Sequence, residues 1–410
     1  MDVVLRPEPL ACPDLKSPPR CRPHIIESSL VFTEVEEPVE DKCCRSICQL
    51  WSVVSGSCLE HNRKAGLIQE RATMAPRIQV IGSLNVDYTT LTARFPGPGE
   101  TLTAKSLTVN AGGKGANQCV ACGRASFTSK TDHDVEVEMI GAVGANDPYY
   151  ASLLKPMLEE SGVNCSGVNE IKGAQTGTAT IIVDEGNDGE NRILVVPGAN
   201  HEGMEDSVEV LQRSLNRDTN PDVVVLQGEI PRATVFEVIT QLHAKTTIVF
   251  NPAPVFPEGI PRELLGMVKV LIVNETEIVQ VAADSTDGKD LPAPGDDLNE
   301  TQLNNFAHSL HLTGLELVIV TLGSRGAFYS SGHKQGKFVE SAKVSNVVDT
   351  TAAGDTFVGC FSVALARHLY AHKEKLEGFD VAAAILRSNQ QAAKCVQRTG
   401  AMQSIPFGYE

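Results

Sequence analysis

A three-layer α/β/α sandwich, built on a mostly parallel doubly wound sheet and carrying a small β-sheet lid, is the fold this sequence predicts. Three observations predict it. From Ile78 onward, continuous Val/Ile/Leu runs recur, each ending in polar residues or glycine: IQVIGSLNVD, VEMIGAVG, DVVVLQGE, TTIVFNPAP, VLIVNETE and ELVIVTLG. Runs without polar alternation are strands buried on both faces, as in parallel sheets. Helical stretches lie between them, among them DPYYASLLKPMLEESG, PRATVFEVITQLHAK and TQLNNFAHSLHLTG, and such alternation builds βαβ units. One segment breaks the pattern: GTATIIVDEGNDGENRILVVPGAN reads as an antiparallel hairpin around a Gly/Asn/Asp turn. A hairpin inserted in a parallel sandwich must cover something, and residues 89–109 supply matching strand-like stretches, so 89–109 and 177–197 are expected to form the lid.

In chain order, residues 1–73 come first. They lack sustained periodicity, carry the only tryptophan, Trp51, and hold six of the eleven cysteines. They read as an appended, disordered extension with no secretory signal evident, and because MAPR at Met74 directly precedes the first convincing strand, residues 74–410 are expected to be the folded part. The remaining five cysteines are scattered singly through apolar or small-residue segments, with Cys119 and Cys122 the one CxxC among them and no second CxxC at zinc spacing. Buried reduced thiols in the cytoplasm, with the nucleus left open, are the expectation. A net charge of -16 argues against a nucleic-acid partner, and no apolar run is long enough to span a membrane. The DEGNDG turn resembles a calcium loop, but Gly186 occupies a ligand position and Val195 stands where glutamate is required, so it is read as a turn. Residues 284–300, acidic and proline-containing, read as a surface loop.

Ligands bind beyond the carboxyl ends of the strands in open α/β sheets. Polar residues gather there: Asn85 and Asp87 after the first strand, Glu229 after VVVLQG, Asn251 after TIVF, Asn274 and Glu277 after VLIV, and Thr321 to Gly326 after LVIV. The stretch VVDTTAAGDTFVGCFSVALARHLY enters a helix at TAAGD, since Phe357, Phe361, Leu365 and Leu369 recur at helical spacing. The free amides of Ala352, Ala353, Gly354 and Asp355, with the helix dipole behind them, make an anion hole. A carboxylate beside an anion site repels that anion unless it handles a proton, so Asp355 is read as a general base, with simple capping by Asp355 or Thr351 as the alternative. Positioning and charge neutralisation of this kind suit phosphoryl transfer.

The loop NAGGKGANQ is not a phosphate-binding P-loop, because Thr108 stands where its first glycine belongs and Gly115 follows Lys114. Gly112 and Gly113 would let backbone amides near a ligand. Lys114 adds a cation, and Asn117 lies on the same helix face. With Asn85 and Asp87 these alternate donors and acceptors, which suits a polyhydroxyl sugar.

The motifs GSLNVDY, PGPGET, NAGGKGANQ, NPAP, NETE, TLGSRGA and DTTAAGDTF, in that order, resemble the ribokinase branch of the PfkB carbohydrate kinases from about Arg77 to Phe407. The resemblance implies a ribokinase-like fold and ATP-dependent phosphorylation of D-ribose on its 5-hydroxyl, with Mg²⁺ required and K⁺ activating. It implies a sugar shell of Asn85, Asp87, Gly113, Lys114, Asn117, Glu229 and Asp355, with Asp355 as base and Ala352, Ala353 and Gly354 as anion hole. It implies nucleotide contacts from Asn274, Thr321, Gly323, Ser324, Gly326, Gly354 and Asn389, with Glu277 near Mg²⁺. A potassium loop would use Asp349, Thr351, Cys395, Arg398, Gly400 and Ser404, mostly through carbonyls, and a homodimer would form through the lid sheets. Alternatives are a sibling kinase acting on 2-deoxyribose or adenosine, or a catalytically silent sugar sensor; a dinucleotide oxidoreductase lacks its Gly-x-Gly-x-x-Gly fingerprint after the first strand.

Overall fold

The structure, a computed structural model, describes residues 75–410 apart from 187–189, 216–218, 283–296, 333 and 374. The expected extension 1–73, the tip of the DEGNDG turn and most of the acidic 284–300 loop lie outside the described residues. The strands are β1 (Arg77–Ile81), β2 (Asn85–Thr92), β3 (Ser106–Gly112), β4 (Glu136–Gly144), β5 (Val163–Ile171), β6 (Gly177–Asp184), β7 (Glu190–Val196), β8 (Val223–Leu226), β9 (Thr247–Phe250), β10 (Val270–Asn274), β11 (Leu317–Thr321), β12 (Ala327–Ser331) and β13 (Lys337–Val339). The longer helices are α1 (Lys114–Ser126), α2 (Lys155–Glu160), α3 (Ser207–Leu215), α4 (Arg232–Leu242), α5 (Glu275–Ala282), α6 (Glu300–His311), α7 (Ala353–Ala371) and α8 (Val381–Cys395).

Nine strands form the main sheet in the order β13-β12-β11-β10-β9-β8-β1-β4-β5, parallel except where β12 and β13 add an antiparallel edge. Its side chains alternate strictly between two cores. Val223 and Val225 of β8 and Val270 and Ile272 of β10 face one, with the buried sides of α1, α7 and α8. Val224, Leu226, Leu271 and Val273 face the other, against α3, α4, α5 and α6. Burial on both faces explains why these strands read as unbroken apolar runs. The β3-β2-β6-β7 sheet is the lid, with β2 parallel to β6 and antiparallel pairs outside them.

Two elements differ from the sequence expectation. The helix expected over DPYYASLLKPMLEESG is a π turn, Tyr150–Leu154, followed by α2. Pro156 falls at the start of α2, where its missing N–H and its ring disfavour the ordinary ladder. Asn85 and Asp87 do not end the first strand; β1 stops at Ile81 and both residues open the lid strand β2. Cys119, Cys122, Cys360 and Cys395 are buried free thiols and Cys165 is partly buried, as the thiol reading expects. No helix among the described residues is long and apolar enough to cross a membrane.

Candidate active site

The chain runs from β1 to β4 and β5 on one side and from β8 to β11 on the other, so β1 and β8 flank the point where strand order reverses. Ligand clefts open there, because the connections diverge to opposite faces. Ser83 to Asp87 follow β1, and Gln227 to Glu229 follow β8. Glu229 ties the two together: its Oε2 accepts the Ser83 hydroxyl at 2.5 Å and the Lys114 amide at 2.8 Å. Ser83 in turn accepts the Gly115 amide at 3.1 Å. Carboxylate and hydroxyl thereby satisfy first-turn N–H groups of α1 that no helical carbonyl can reach.

The glycines of NAGGKGANQ are also required by packing. A Cβ on Gly112 would collide with the Asp87 carboxylate, and one on Gly115 with the Gly82–Ser83 backbone. Gly113 caps α1 at φ 89°, where a Cβ would stand 2.8 Å from the Asn85 amide nitrogen. These residues let the loop lie against the 82–85 segment, which brings Asp87, Asn117 and Lys114 to one place.

Asp355 lies at the centre, in the first turn of α7 and 7% exposed. Its Oδ2 accepts from Asn117 Nδ2 at 3.0 Å and its Oδ1 from Gln118 Nε2 at 2.9 Å. Lys114 is held protonated above its ordinary range chiefly by Asp355, against the opposing effect of burial, with help from Glu229 and Glu277. Burial pushes the Asp87 carboxyl up to about 7, and the charges of Glu229 and Asp355 push the same way. Asp87 Oδ1 and Asn117 Oδ1 are buried without a hydrogen-bond partner. Each is an acceptor, so the cleft is set to receive hydroxyl donors. Asn85 is less free than expected: its Oδ1 accepts from Asn200 Nδ2 at 2.7 Å, leaving its own amide group as donor.

Ala352 caps α7 in the left-handed region at φ 60°, with no side-chain cap. Neither Asp355 nor Thr351 caps, so the capping alternative fails. A non-glycine residue held at positive φ is strained, and the turn it makes exposes the amides behind it. The expected quartet is nevertheless incomplete, because Ala353 donates to the Thr350 carbonyl at 3.3 Å. Gly354 faces open space.

The nucleotide candidates divide. Asn274 and Glu277 exchange backbone bonds, Glu277 N to Asn274 Oδ1 at 2.8 Å and Asn274 N to Glu277 Oε2 at 2.9 Å. That reciprocity is a capping box for α5. Burial raises Glu277, with the Asn274 bond and Lys114 opposing and Asp355 adding to the rise. Thr321 ends β11, and Gly323 and Gly326 adopt positive φ in the turn that carries Ser324. Asn389 donates to the Glu340 carbonyl at 3.0 Å, so its amide nitrogen positions the 339–340 backbone rather than standing free.

The six expected cation residues come together. Asp349 accepts from the Thr351 and Gly400 amides, each at 2.9 Å. Burial opposes its ionisation, yet these bonds hold it below the usual carboxylate range. The Cys395 thiol touches Ser404 Oγ at 3.0 Å and the Thr351 carbonyl at 3.6 Å, while the Cys395 carbonyl accepts the Arg398 amide at 3.0 Å.

Comparison with known proteins then decides the family. Residues 75–407 match the pfkB family carbohydrate kinase. The chain belongs to the pfkB carbohydrate kinases. Within that family it is 36% identical to the ribokinase of Schizosaccharomyces pombe over 338 residues, which cover 80% of this chain and 94% of that one. It superposes on the Arabidopsis thaliana ribokinase complexed with ribose and ATP at a TM-score of 0.66 and 27% identity, covering 82% and 97% of the two chains. The Giardia lamblia ribokinase gives 0.68 and 28%, covering 81% and 98%.

Several residues that position this pfkB site escape sequence reading. Ser83, Asn200, Gln118 and Gln227 are not singled out by the sequence, although all four lie inside the quoted stretches. Neutral polar residues near strand ends carry no sign of whether they face a cleft or a core, and only the crossing of β1, β8 and α7 decides it.

Proposed function

We propose that this chain transfers the γ-phosphoryl group of ATP to the 5-hydroxyl of D-ribose, giving D-ribose 5-phosphate and ADP. The observation that carries the reading is the pair of unpartnered buried acceptors, Asp87 Oδ1 and Asn117 Oδ1, beside Asp355. A sugar supplies the donors they lack, whereas an ionised phosphate supplies none. The similarity to ribokinases over most of the chain supports ribose as that sugar.

In this reading Asp87, Asn117, Glu229, Lys114, Gly113 and the Asn85 amide hold the sugar. The Asp355 carboxylate accepts the hydroxyl proton as the oxygen bonds to the γ-phosphorus and the bond to the β-phosphate oxygen breaks. The Gly354 and Asp355 amides at the α7 N-terminus receive the developing charge on the phosphoryl oxygens. Thr321, Gly323, Ser324, Gly326, Asn274 and Asn389 border the nucleotide. A magnesium ion bound to the phosphates would neutralise their charge, and Glu277, whose Oε1 is left over from the capping box, suits that hard cation. A potassium ion fits the donor chemistry of the loop at Asp349, Thr351, Cys395, Arg398, Gly400 and Ser404, where carbonyl and carboxylate oxygens gather and the Cys395 sulfur is directed at Ser404.

A homodimer through the lids is part of the same reading. Edge strand β7 leaves Ile193, Leu194, Val195 and Val196 exposed, Leu194 at 67%. An unpaired apolar edge of that kind invites a second copy, and light scattering at micromolar concentration would read a dimer mass if so. A cytoplasmic location accords with the reduced thiols, and fluorescence imaging of the tagged chain would test it.

The deciding assay is ADP release from MgATP with D-ribose, 2-deoxyribose, fructose and adenosine in turn. Ribose-dependent turnover supports the proposal, and preference for adenosine or 2-deoxyribose replaces the substrate. Sugar binding without turnover would leave a sensor.

A further inference from the structure

A chain of buried side-chain amides runs from the middle of β10 to Asp355, and one backbone carbonyl sets its polarity. Asn251, in the loop after β9, donates through Nδ2 to the Ile272 carbonyl at 2.8 Å. A carbonyl can only accept, so the Asn251 amide group is fixed on that side and its Oδ1 must point the other way. Gln118 Nε2 donates to that oxygen at 2.9 Å. The same nitrogen donates to Asp355 Oδ1 at 2.9 Å. With its nitrogen so committed, Gln118 presents Oε1 outward, where Gln227 Nε2 donates to it at 2.8 Å. Gln118 is fully buried, Gln227 is 1% exposed and Asn251 8%, so no water competes for these bonds at Gln118. Turning the Gln118 amide over would set oxygen against the Asn251 oxygen and the Asp355 carboxylate and leave two amide groups opposed at Gln227.

We infer that Gln118 is a positioning residue for the phosphoryl-transfer step, keyed by the Ile272 carbonyl through Asn251 and braced by Gln227, and that it holds one oxygen of Asp355 so that the carboxylate stays aimed at the acceptor hydroxyl. The inference rests on the assignment of Asp355 as base. It explains why a glutamine follows Asn117 on α1, one residue beyond the expected sugar shell. Asn117 holds Oδ2 and Gln118 holds Oδ1, so neither carboxylate oxygen can swing away. A base locked in this manner loses little entropy on the way to the transition state.

The test uses the full chain and whichever acceptor the wild type turns over, so that failure with ribose counts against the substrate assignment and leaves this comparison intact. Gln118→Met keeps the volume and removes the donor; Gln118→Glu keeps the shape and sets a carboxylate against Asp355. Expected is a fall in kcat of about tenfold or more for Met and a larger one for Glu, with acceptor and ATP KM within about threefold, because alignment and not binding is lost. In an Asp355→Asn background the Met change should alter residual turnover by less than about twofold, since a residue acting through Asp355 has nothing left to align. If the Gln118 variants do not fold, Gln227→Met frees the Gln118 oxygen and should reproduce the split between kcat and KM in weaker form. Undiminished kcat, a parallel rise in acceptor KM, or additive losses with Asp355→Asn would overturn the inference.

Discussion

Asp87 makes a case in which a site residue should weaken the fold that carries it. Its carboxyl sits at about 7 against an ordinary 3.8, pushed there first by burial and then by Glu229 and Asp355. Because the folded value lies above the unfolded one, the folded chain binds more protons between those limits. Stability from this group is complete below pH of about 4 and is lost as pH rises through 7. A gap of about three units corresponds to roughly 4 kcal/mol at pH 8 as an upper bound, at about 1.4 kcal/mol per unit. Asp87→Asn removes the charge at constant shape. Urea denaturation of the sugar-free protein should therefore show the variant more stable than wild type at pH 8 by about 1–4 kcal/mol, with the two within about 1 kcal/mol at pH 4.5. Sugar affinity should move the opposite way, falling at least about tenfold, because charge-assisted hydrogen bonds contribute roughly 1.5–3 kcal/mol. ATP affinity should stay within about threefold on the same argument. A variant less stable than wild type at pH 8, or a stability difference independent of pH, would refute the claim that burial strains this carboxylate.

The remaining expectations concern the base, the loop and the cation. Asp355→Asn should lower kcat by about 10²–10⁴ while ribose binding, followed by calorimetry, stays within about tenfold; a variant retaining most of its turnover would remove Asp355 as base. Gly112→Ala should raise the sugar KM at least about tenfold and lower stability by about 1–3 kcal/mol in thermal unfolding, because its Cβ meets the Asp87 carboxylate; an unchanged KM would mean that the loop yields instead. Exchanging K⁺ for Na⁺ at constant ionic strength should lower turnover, and equal rates in both salts would eliminate the cation loop.

How much of this could be read from the sequence follows from which forces are local. Strand burial on both faces writes itself as unbroken apolar runs, so β1, β4, β8, β9, β10 and β11 were legible, and the GTATIIV and RILVV pair announced the β6–β7 hairpin through its turn residues. The lid's root was not legible, because nothing local tells whether Asn85 ends one strand or begins the next; the pairing of Asn85 with both Gly112 and Gly177 decides it. Charge made Asp87, Lys114, Glu229 and Asp355 conspicuous in the sequence, and the fold brings the four together. The packing need at Gly112, against the Asp87 carboxylate, and at Gly115, against the Gly82–Ser83 backbone, carries no local signal. At Asn274 and Glu277, Asn-x-x-Glu ahead of an apolar run is also the pattern of a capping box, so the same two residues start α5, and Glu277 stands near Lys114 and Asp355.

That double duty bears on why the site tolerates so many buried charges. Asp87, Glu229, Glu277 and Asp355 all act on one another or on Lys114, yet one lysine cannot neutralise four carboxylates. Dipoles make up the difference: Glu229 takes an amide and a hydroxyl at the start of α1, Asp355 takes two side-chain amides at the start of α7, and Glu277 takes the Asn274 amide at the start of α5. Three helix N-termini therefore converge on the cleft, each with a carboxylate in its first turn or bonded to it. Helix dipoles favour negative charge at that end, and several fixed dipoles hold it without the mobility of a counter-ion. Asp87 belongs to a strand and has no such helix end, and burial, with the charges of Glu229 and Asp355, pushes its carboxyl up to about 7. In the proposed function its missing partner is the sugar, whose hydroxyls would supply the donors that the fold withholds, so that binding the substrate would complete the electrostatics of the site instead of competing with them.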